Sequence, residues 1–267
     1  MRNKVILSLL LLSLWSCQKE KIISICRVSK FVTDYPGSSL THHDLFGMNV
    51  NRLEKIYSYD LRNRTDTINR QRIFFEYNAL NKVTAIRDES VSTRIIRFEF
   101  VYENNEPVAK KVNQITAGVK NNEIIFEYDK QNRPIGALSL NLIGLNRSIE
   151  YDAKGNPFRV TRADFGNSPT INEHTFDDKR NFFEGIPEIG MYWLLRPLYN
   201  FIPFGSNNII ATKYYTVQNL EFKEVPDNRT VRETTYNEQG FPLTMSIVFE
   251  NQGRLISTNS TFEYVCQ

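Results

Sequence analysis

A short motif recurs along this chain and constrains its fold more than any other feature. It appears as "FEYNALNKV" (75–83), "FEYDKQNRP" (126–134), "IEYDAKGNP" (149–157), "HTFDDKRNF" (174–182) and "TTYNEQGFP" (234–242). Each copy is an aromatic residue, then Asp or Asn, then two intervening residues followed by Gly, Asn or Arg. With "FVYENNEPV" added, the turn aromatics are Tyr77, Tyr102, Tyr128, Tyr151 and Phe176, separated by 102 − 77 = 25, 128 − 102 = 26, 151 − 128 = 23 and 176 − 151 = 25 residues. Two strands of about ten residues and two turns use up about that much chain. Each copy therefore returns the chain to the same end of an antiparallel meander.

The residue types suit that role. Asp129, Asp152, Asp177, Asn78 and Asn237 place a short acceptor where it reaches backbone N–H groups two residues on. Three residues later stand Gly155 and Gly240, or Asn81, Asn132 and Arg180. A type I turn with a bulge needs positive φ there, which Gly adopts freely and Asn tolerates. Arg180 fits worst. Before the turns, Phe75/Tyr77, Phe126/Tyr128 and Ile149/Tyr151 alternate with Glu76, Glu127 and Glu150. That period of two puts aromatics toward a core and carboxylates toward water. Turns at the opposite end are expected near Glu89, Gly118, Gly144 and Gly166.

The pattern breaks once. Between Phe176 and Tyr236 lies "FFEGIPEIGMYWLLRPLYNFIPFGSNN", an aromatic insertion over about 183–208 in which "EIGMYWLLRPLYN" reads as a short helix broken near Pro197. Its structural role would be to plug an open end or face of the sheet. Its functional alternative is an exposed docking patch at Tyr192 and Trp193. A dozen or more strands are too many for a flat open sheet. The expected fold is thus all-β: a strongly coiled antiparallel meander or partial barrel, with one short helical, apolar insertion.

The N-terminus gives an address. "MRNKVILSLLLLSLWSC" has Arg2 and Lys4 before an apolar run from Val5 to Trp15. The pattern is that of a secretory signal, and the run is well short of the ~20 residues a spanning helix needs. "LWSC" resembles the lipobox of bacterial lipoproteins, with Cys17 as the lipidated residue. The resulting division is a signal peptide at 1–16, a tether at 17–27 and a single domain at 28–267. A lipidated cysteine carries enough acyl chain for stable anchoring. "QKEKIIS" has no Asp after the cysteine, which by resemblance to known sorting signals favours the outer membrane. Cys26 and Cys266 remain; in an oxidising compartment they can form a disulfide or serve as small core residues.

The units "YDAKGNP", "YDKQNRP" and "FENQGRL" resemble the YD repeats of Rhs-type proteins. The lipobox followed by degenerate hairpins is similar to a group of bacterial lipoproteins of unknown function. The resemblance implies strand-turn-strand geometry over about residues 50–265; it carries no toxin-shell role.

Chemistry is sparse in the sequence. Lys and Arg total 33 against 30 Asp and Glu, a net charge of +3. Without long like-charge blocks, nucleic-acid binding is not expected. Of three histidines, the His42–His43 pair would face opposite sides of an extended segment, so "THHDLFG" reads as a polar loop and no metal site is assigned; His174 stands alone. No nucleophile elbow, zinc helix, P-loop or dinucleotide pattern occurs, and no cofactor is expected. The sequence therefore points to a membrane-anchored, exported, non-catalytic protein with a structural or interaction role in the cell envelope. Its partners would be the membrane, through Cys17, and an envelope protein or glycan. The alternatives are a curled sheet that binds a lipid or glycan and, less favoured, a glycoside or other hydrolase. The loops near Gly118, Gly144 and Gly166 are a second candidate surface.

Overall fold

The computed structural model of the chain describes residues 26–35, 39–46, 52–62, 66–90, 95–103, 106–141, 146–163, 169–183, 186–195, 205–218, 221–251 and 254–266. The expected signal peptide, Cys17 and the expected turns near Gly144 and Gly166 lie outside them.

Sixteen antiparallel strands close into one barrel in which every strand pairs with its neighbours in sequence and β16 pairs with β1. They are β1 (Cys26–Tyr35), β2 (Ser39–Phe46), β3 (Lys55–Arg62), β4 (Asp66–Tyr77), β5 (Val83–Ser90), β6 (Ile95–Val101), β7 (Lys111–Thr116) and β8 (Val119–Tyr128). The second half comprises β9 (Pro134–Ser139), β10 (Arg147–Tyr151), β11 (Pro157–Arg162), β12 (Thr170–Arg180), β13 (Asn207–Gln218), β14 (Glu221–Tyr236), β15 (Pro242–Asn251) and β16 (Arg254–Cys266). Closure leaves no sheet edge unpaired. The expected meander is present, and its partial barrel is a complete one. Strand β1 begins at Cys26. Residues 41–46 of "THHDLFG" lie in strand β2, not in a loop.

The recurrent turns form as their chemistry requires. Asp152 Oδ1 accepts from Lys154 N and Asn156 N, both at 2.8 Å, while Gly155 N donates to the Asp152 carbonyl. Asn78, Asp129 and Asn237 repeat the arrangement. The fourth position has positive φ in each: Asn81 (59°), Asn132 (59°), Gly155 (84°) and Gly240 (82°). At the opposite end, Ala117 and Gly118, with φ of 52° and 79°, make a two-residue hairpin. Near Glu89 the reversal is present, since Glu89 of β5 pairs with Ile95 of β6. Near Arg180 the expectation fails, because β12 runs on through Arg180 with a shifted register. Asp177 still accepts from Lys179 N, but it also accepts from Asn208 N. The chain there is leaving the sheet for the insertion instead of reversing.

A tyrosine ladder joins successive turns. The hydroxyl of Tyr102 donates to the Val83 carbonyl, Tyr128 to Ala109 and Tyr151 to Pro134. Each of these three tyrosines therefore ties its own turn to the preceding one. Lys82 and Arg133 lie over the rings of Tyr102 and Tyr151 and close the same steps from the side.

The seam between the first and last strands is covalent: Cys26 and Cys266 are directly paired in register and bridged by a disulfide. Both chain ends of the barrel thus lie at the end that carries the recurrent turns. That end is called the tether end below, and the other the loop end.

Candidate functional site

A circular barrel of sixteen strands encloses more space than its own side chains can fill. At the tether end the insertion fills it. Phe182, Phe183 and Ile186 lead into helix α1 (Pro187–Leu195), and all of Ile189, Tyr192, Trp193, Leu194 and Leu195 are buried. A helix apolar on every side belongs inside a core. The exposed docking patch at Tyr192 and Trp193 is therefore overturned: they are 1% and 3% exposed, and the plug reading holds.

Four polar contacts fix the plug across the bore. Glu188 Oε1 lies 3.0 Å from the Tyr77 hydroxyl of β4. One helical turn on, the Tyr192 hydroxyl bonds Asp88 Oδ2 of β5 at 3.0 Å and accepts from Gln71 Nε2 at 3.0 Å. From the other wall, Arg147 Nη1 of β10 donates to the Trp193 carbonyl at 3.0 Å, with its guanidinium 5.0 Å above the Trp193 ring. A cation at carbonyls of the last helical turn also opposes the helix dipole. Burial raises the Glu188 carboxyl above the ordinary carboxylate range.

Beyond the plug the interior changes character. Along eight of the strands the inward residues run from apolar at the tether end to polar at the loop end: Phe31 then Thr33, Ile56 then Ser58, Ile73 then Gln71, Ile86 then Asp88, Ile124 then Asn122, Ile149 then Arg147, Val160 then Arg162, Phe262 then Ser260; β6 and β15 stay apolar, with Phe98 then Ile96 and Ile247 then Phe249. These polar groups bond one another across strands. Thr33 and Ser260 meet at 3.0 Å, His43 Nδ1 and Ser58 at 2.8 Å, Asn122 and Ser139 at 2.9 Å. His43 also stacks on Phe31, 4.2 Å between ring centres, and burial pushes its pKa down to about 4. His42 points outward onto Tyr59. The pair straddles the wall, and no cluster of metal-binding residues occurs among the described residues.

The outer wall carries charge at mid-strand. Arg97 of β6 bonds Glu76 two strands away and Glu99 beside it, over Ala85, which is 0% exposed beneath them. Arg159 bonds Glu173 at 2.6 Å and Glu150 at 3.4 Å, Lys111 and Lys120 bond Glu123, and Lys30 bonds Glu263. The expected outer acidic row is present at Glu76 and Glu150, paired with arginines. On a lipid-facing barrel wall each mid-depth Arg or Lys costs about 2–4 kcal/mol. No described helix is long and apolar enough to cross a membrane.

No protein-family model matches the chain, and no curated protein matches it. Among solved structures, the fold is similar to a porin-like protein from Bacteroides uniformis, with TM-score 0.56 and 11% identity over 89% of this chain and 98% of that one. A porin-like protein from Bacteroides vulgatus aligns at TM-score 0.43 and 10% identity, over 90% of this chain and 99% of that one. At such identity the first likeness establishes the barrel fold and nothing about activity.

Sequence reasoning missed Arg147, Arg162, Asp88 and Arg232. They left a readable signal: a charged residue at an inward position of a strand whose other inward residues are Ile, Val or Phe.

Proposed function

We propose that this is an exported, lipid-tethered, non-catalytic protein of the cell envelope, with its barrel standing in water and its polar loop end turned away from the membrane toward a partner or solute. The observation that carries the reading is the outer wall. Mid-strand pairs such as Arg97–Glu76 and Arg159–Glu173 suit water, so a membrane link falls to the lipid at Cys17. The Cys26–Cys266 bridge supports it further, because the load-bearing end of a tethered barrel is its terminal seam. Asp129 and Asp152 serve backbone turns and Glu76 an outer ion pair, which favours a non-catalytic role. A lipid carrier would need the apolar half of the bore empty, whereas Phe182, Phe183 and Trp193 occupy it. The polar half suits a glycan or other polar solute.

Two forms of the protein test the proposal. The wild type should incorporate a clickable palmitate analogue and sediment with membranes. A form exported by a cleavable signal without the lipobox should be soluble and folded. Carbonate-resistant membrane association of that second form would mean that the wall itself inserts, and the proposal would fall.

A further inference from the structure

One row of the inner wall changes from polar to apolar across the strands. It is built of directly opposed residues on five consecutive strands: His174 of β12 faces Thr212 of β13, Thr212 faces Thr230 of β14, Thr230 faces Phe249 of β15, and Phe249 faces Ile256 of β16. Directly opposed residues share one face of a sheet, and Thr212 and Thr230 are buried within the bore. At the usual strand spacing the row is about 19 Å long. Its β12–β14 part carries an imidazole and two hydroxyls; its β15–β16 part is hydrocarbon. Ile256 faces the interior yet is 51% exposed, so water reaches that end of the row. Tyr214, two residues beyond Thr212, joins the two parts: its ring meets Phe249 edge-on with 6.1 Å between centres, and its hydroxyl lies 3.0 Å from Thr230 Oγ1.

The polar part has hydrogen-bonding capacity to spare. Thr212 Oγ1 lies 3.0 Å from His174 Nδ1 and 3.0 Å from Arg232 Nη1, so His174 is tied to the row by direct contact. His174 Nε2, on the other side of the ring, is buried with no hydrogen-bond partner among the described residues. Burial, and then Arg232 and Arg162, bring the His174 pKa down to about 3. The ring is therefore neutral, and Nε2 is a donor or an acceptor according to tautomer. The Tyr214 and Thr230 hydroxyls carry two protons and share one hydrogen bond, which leaves one O–H to donate.

We propose that this row is a binding site for a neutral oligosaccharide, lying along the inner wall from β12 to β16. The ligand must cover Phe249, Ile256 and the Tyr214 ring with apolar surface while giving polar partners to His174 Nε2 and the Tyr214–Thr230 pair. A sugar ring has both surfaces, a C–H face and a hydroxyl edge. Its hydroxyls donate and accept, so they satisfy Nε2 in either tautomer, whereas a carboxylate only accepts and an ammonium only donates. A lipid chain would cover the apolar part and bury the spare polar atoms unpaired, which is costly. The proposal rests on the reading that the polar half of the bore takes a glycan or other polar solute, and it specifies a neutral ligand and the wall that holds it.

The test is calorimetric titration of the mature, lipidated protein, held in a sugar-free detergent, with maltotetraose, cellotetraose, mannotetraose and xylotetraose. At least one should bind saturably. Phe249→Ala should weaken that binding about 3–10-fold through lost ring contact. Ile256→Asp, which sets an unpaired carboxylate against the ligand, should weaken it at least about tenfold. Ile256 is half exposed, so this variant keeps the fold and is the deciding one. Leu255→Ser changes the neighbouring outward residue, which is 71% exposed, and should leave the Kd within about twofold. No saturable heat with any of the four sugars, wild-type binding by Ile256→Asp, or an equal loss in Leu255→Ser would overturn the proposal. The detergent measurement gives the same answer whether the outer wall stands in water or in lipid, so its failure is distinct from failure of the tethered-barrel reading.

Discussion

Replacing Tyr192 with Phe removes one oxygen and leaves the ring in place, which makes it a direct test of whether the insertion is a plug. The hydroxyl sits 3.0 Å from Asp88 Oδ2 and 3.0 Å from Gln71 Nε2, and Tyr192 and Asp88 are each 1% exposed. A hydrogen bond to a buried charged group contributes about 1.5–3 kcal/mol. Phe at 192 should therefore cost about that much, and for a chain of this size the Tm should fall by roughly 3–12 °C. Urea unfolding gives the free energy, and Asp88→Asn completes a double-mutant cycle whose coupling should be about 1 kcal/mol or more. A surface tyrosine would give a change within about 0.5 kcal/mol. A value that small, or additive single and double variants, would refute the placement of α1 inside the bore.

Two further expectations follow from the seam and the interior. Reducing the Cys26–Cys266 bridge releases a sequence separation of 240 residues, for which the chain-entropy estimate is about 5.5 kcal/mol and the usual loss about 2–5 kcal/mol; unfolding by urea with and without dithiothreitol should differ by that amount, and coincident curves would count against the bridge. For His43, burial holds the folded pKa near 4 while the unfolded ring keeps an ordinary value of about 6.5. The unfolded chain then binds the extra proton, so stability is present above about pH 6.5 and is lost as pH falls toward 4, by about 3 kcal/mol for this residue. His43→Gln should flatten that part of the stability profile; an unchanged profile would show that the ring is not held neutral.

The turns were legible because their information is local. Asp152 and Gly155, or Asn78 and Asn81, set a reversal through bonds within five residues, and the 23–26 residue spacing turns those reversals into a meander. The same locality explains where reading stopped. The sequence around Arg180 looks like one more reversal, but the decision there depends on Asn208, 31 residues away in sequence from Asp177. The tyrosines were read as core aromatics, and only the neighbouring turn shows that their hydroxyls bond the previous hairpin. Strands β13 and the start of β14 carry no recurrent motif and went unread.

Tyr192 and Trp193 mark the limit most clearly. Sequence alone established that the insertion is apolar and helical, because composition and proline placement are properties of the segment itself. Whether an apolar helix faces water or fills a bore depends on whether the sheet closes. Closure is a long-range event: β1 meets β16 across nearly the whole chain, and until it does there is no interior for α1 to occupy. The Arg147–Arg162 pair has the same origin, since the two residues lie on separate strands and become neighbours only when β10 and β11 align. Local chemistry determined the turns and the direction of the strands, and tertiary pairing decided which residues share an inside.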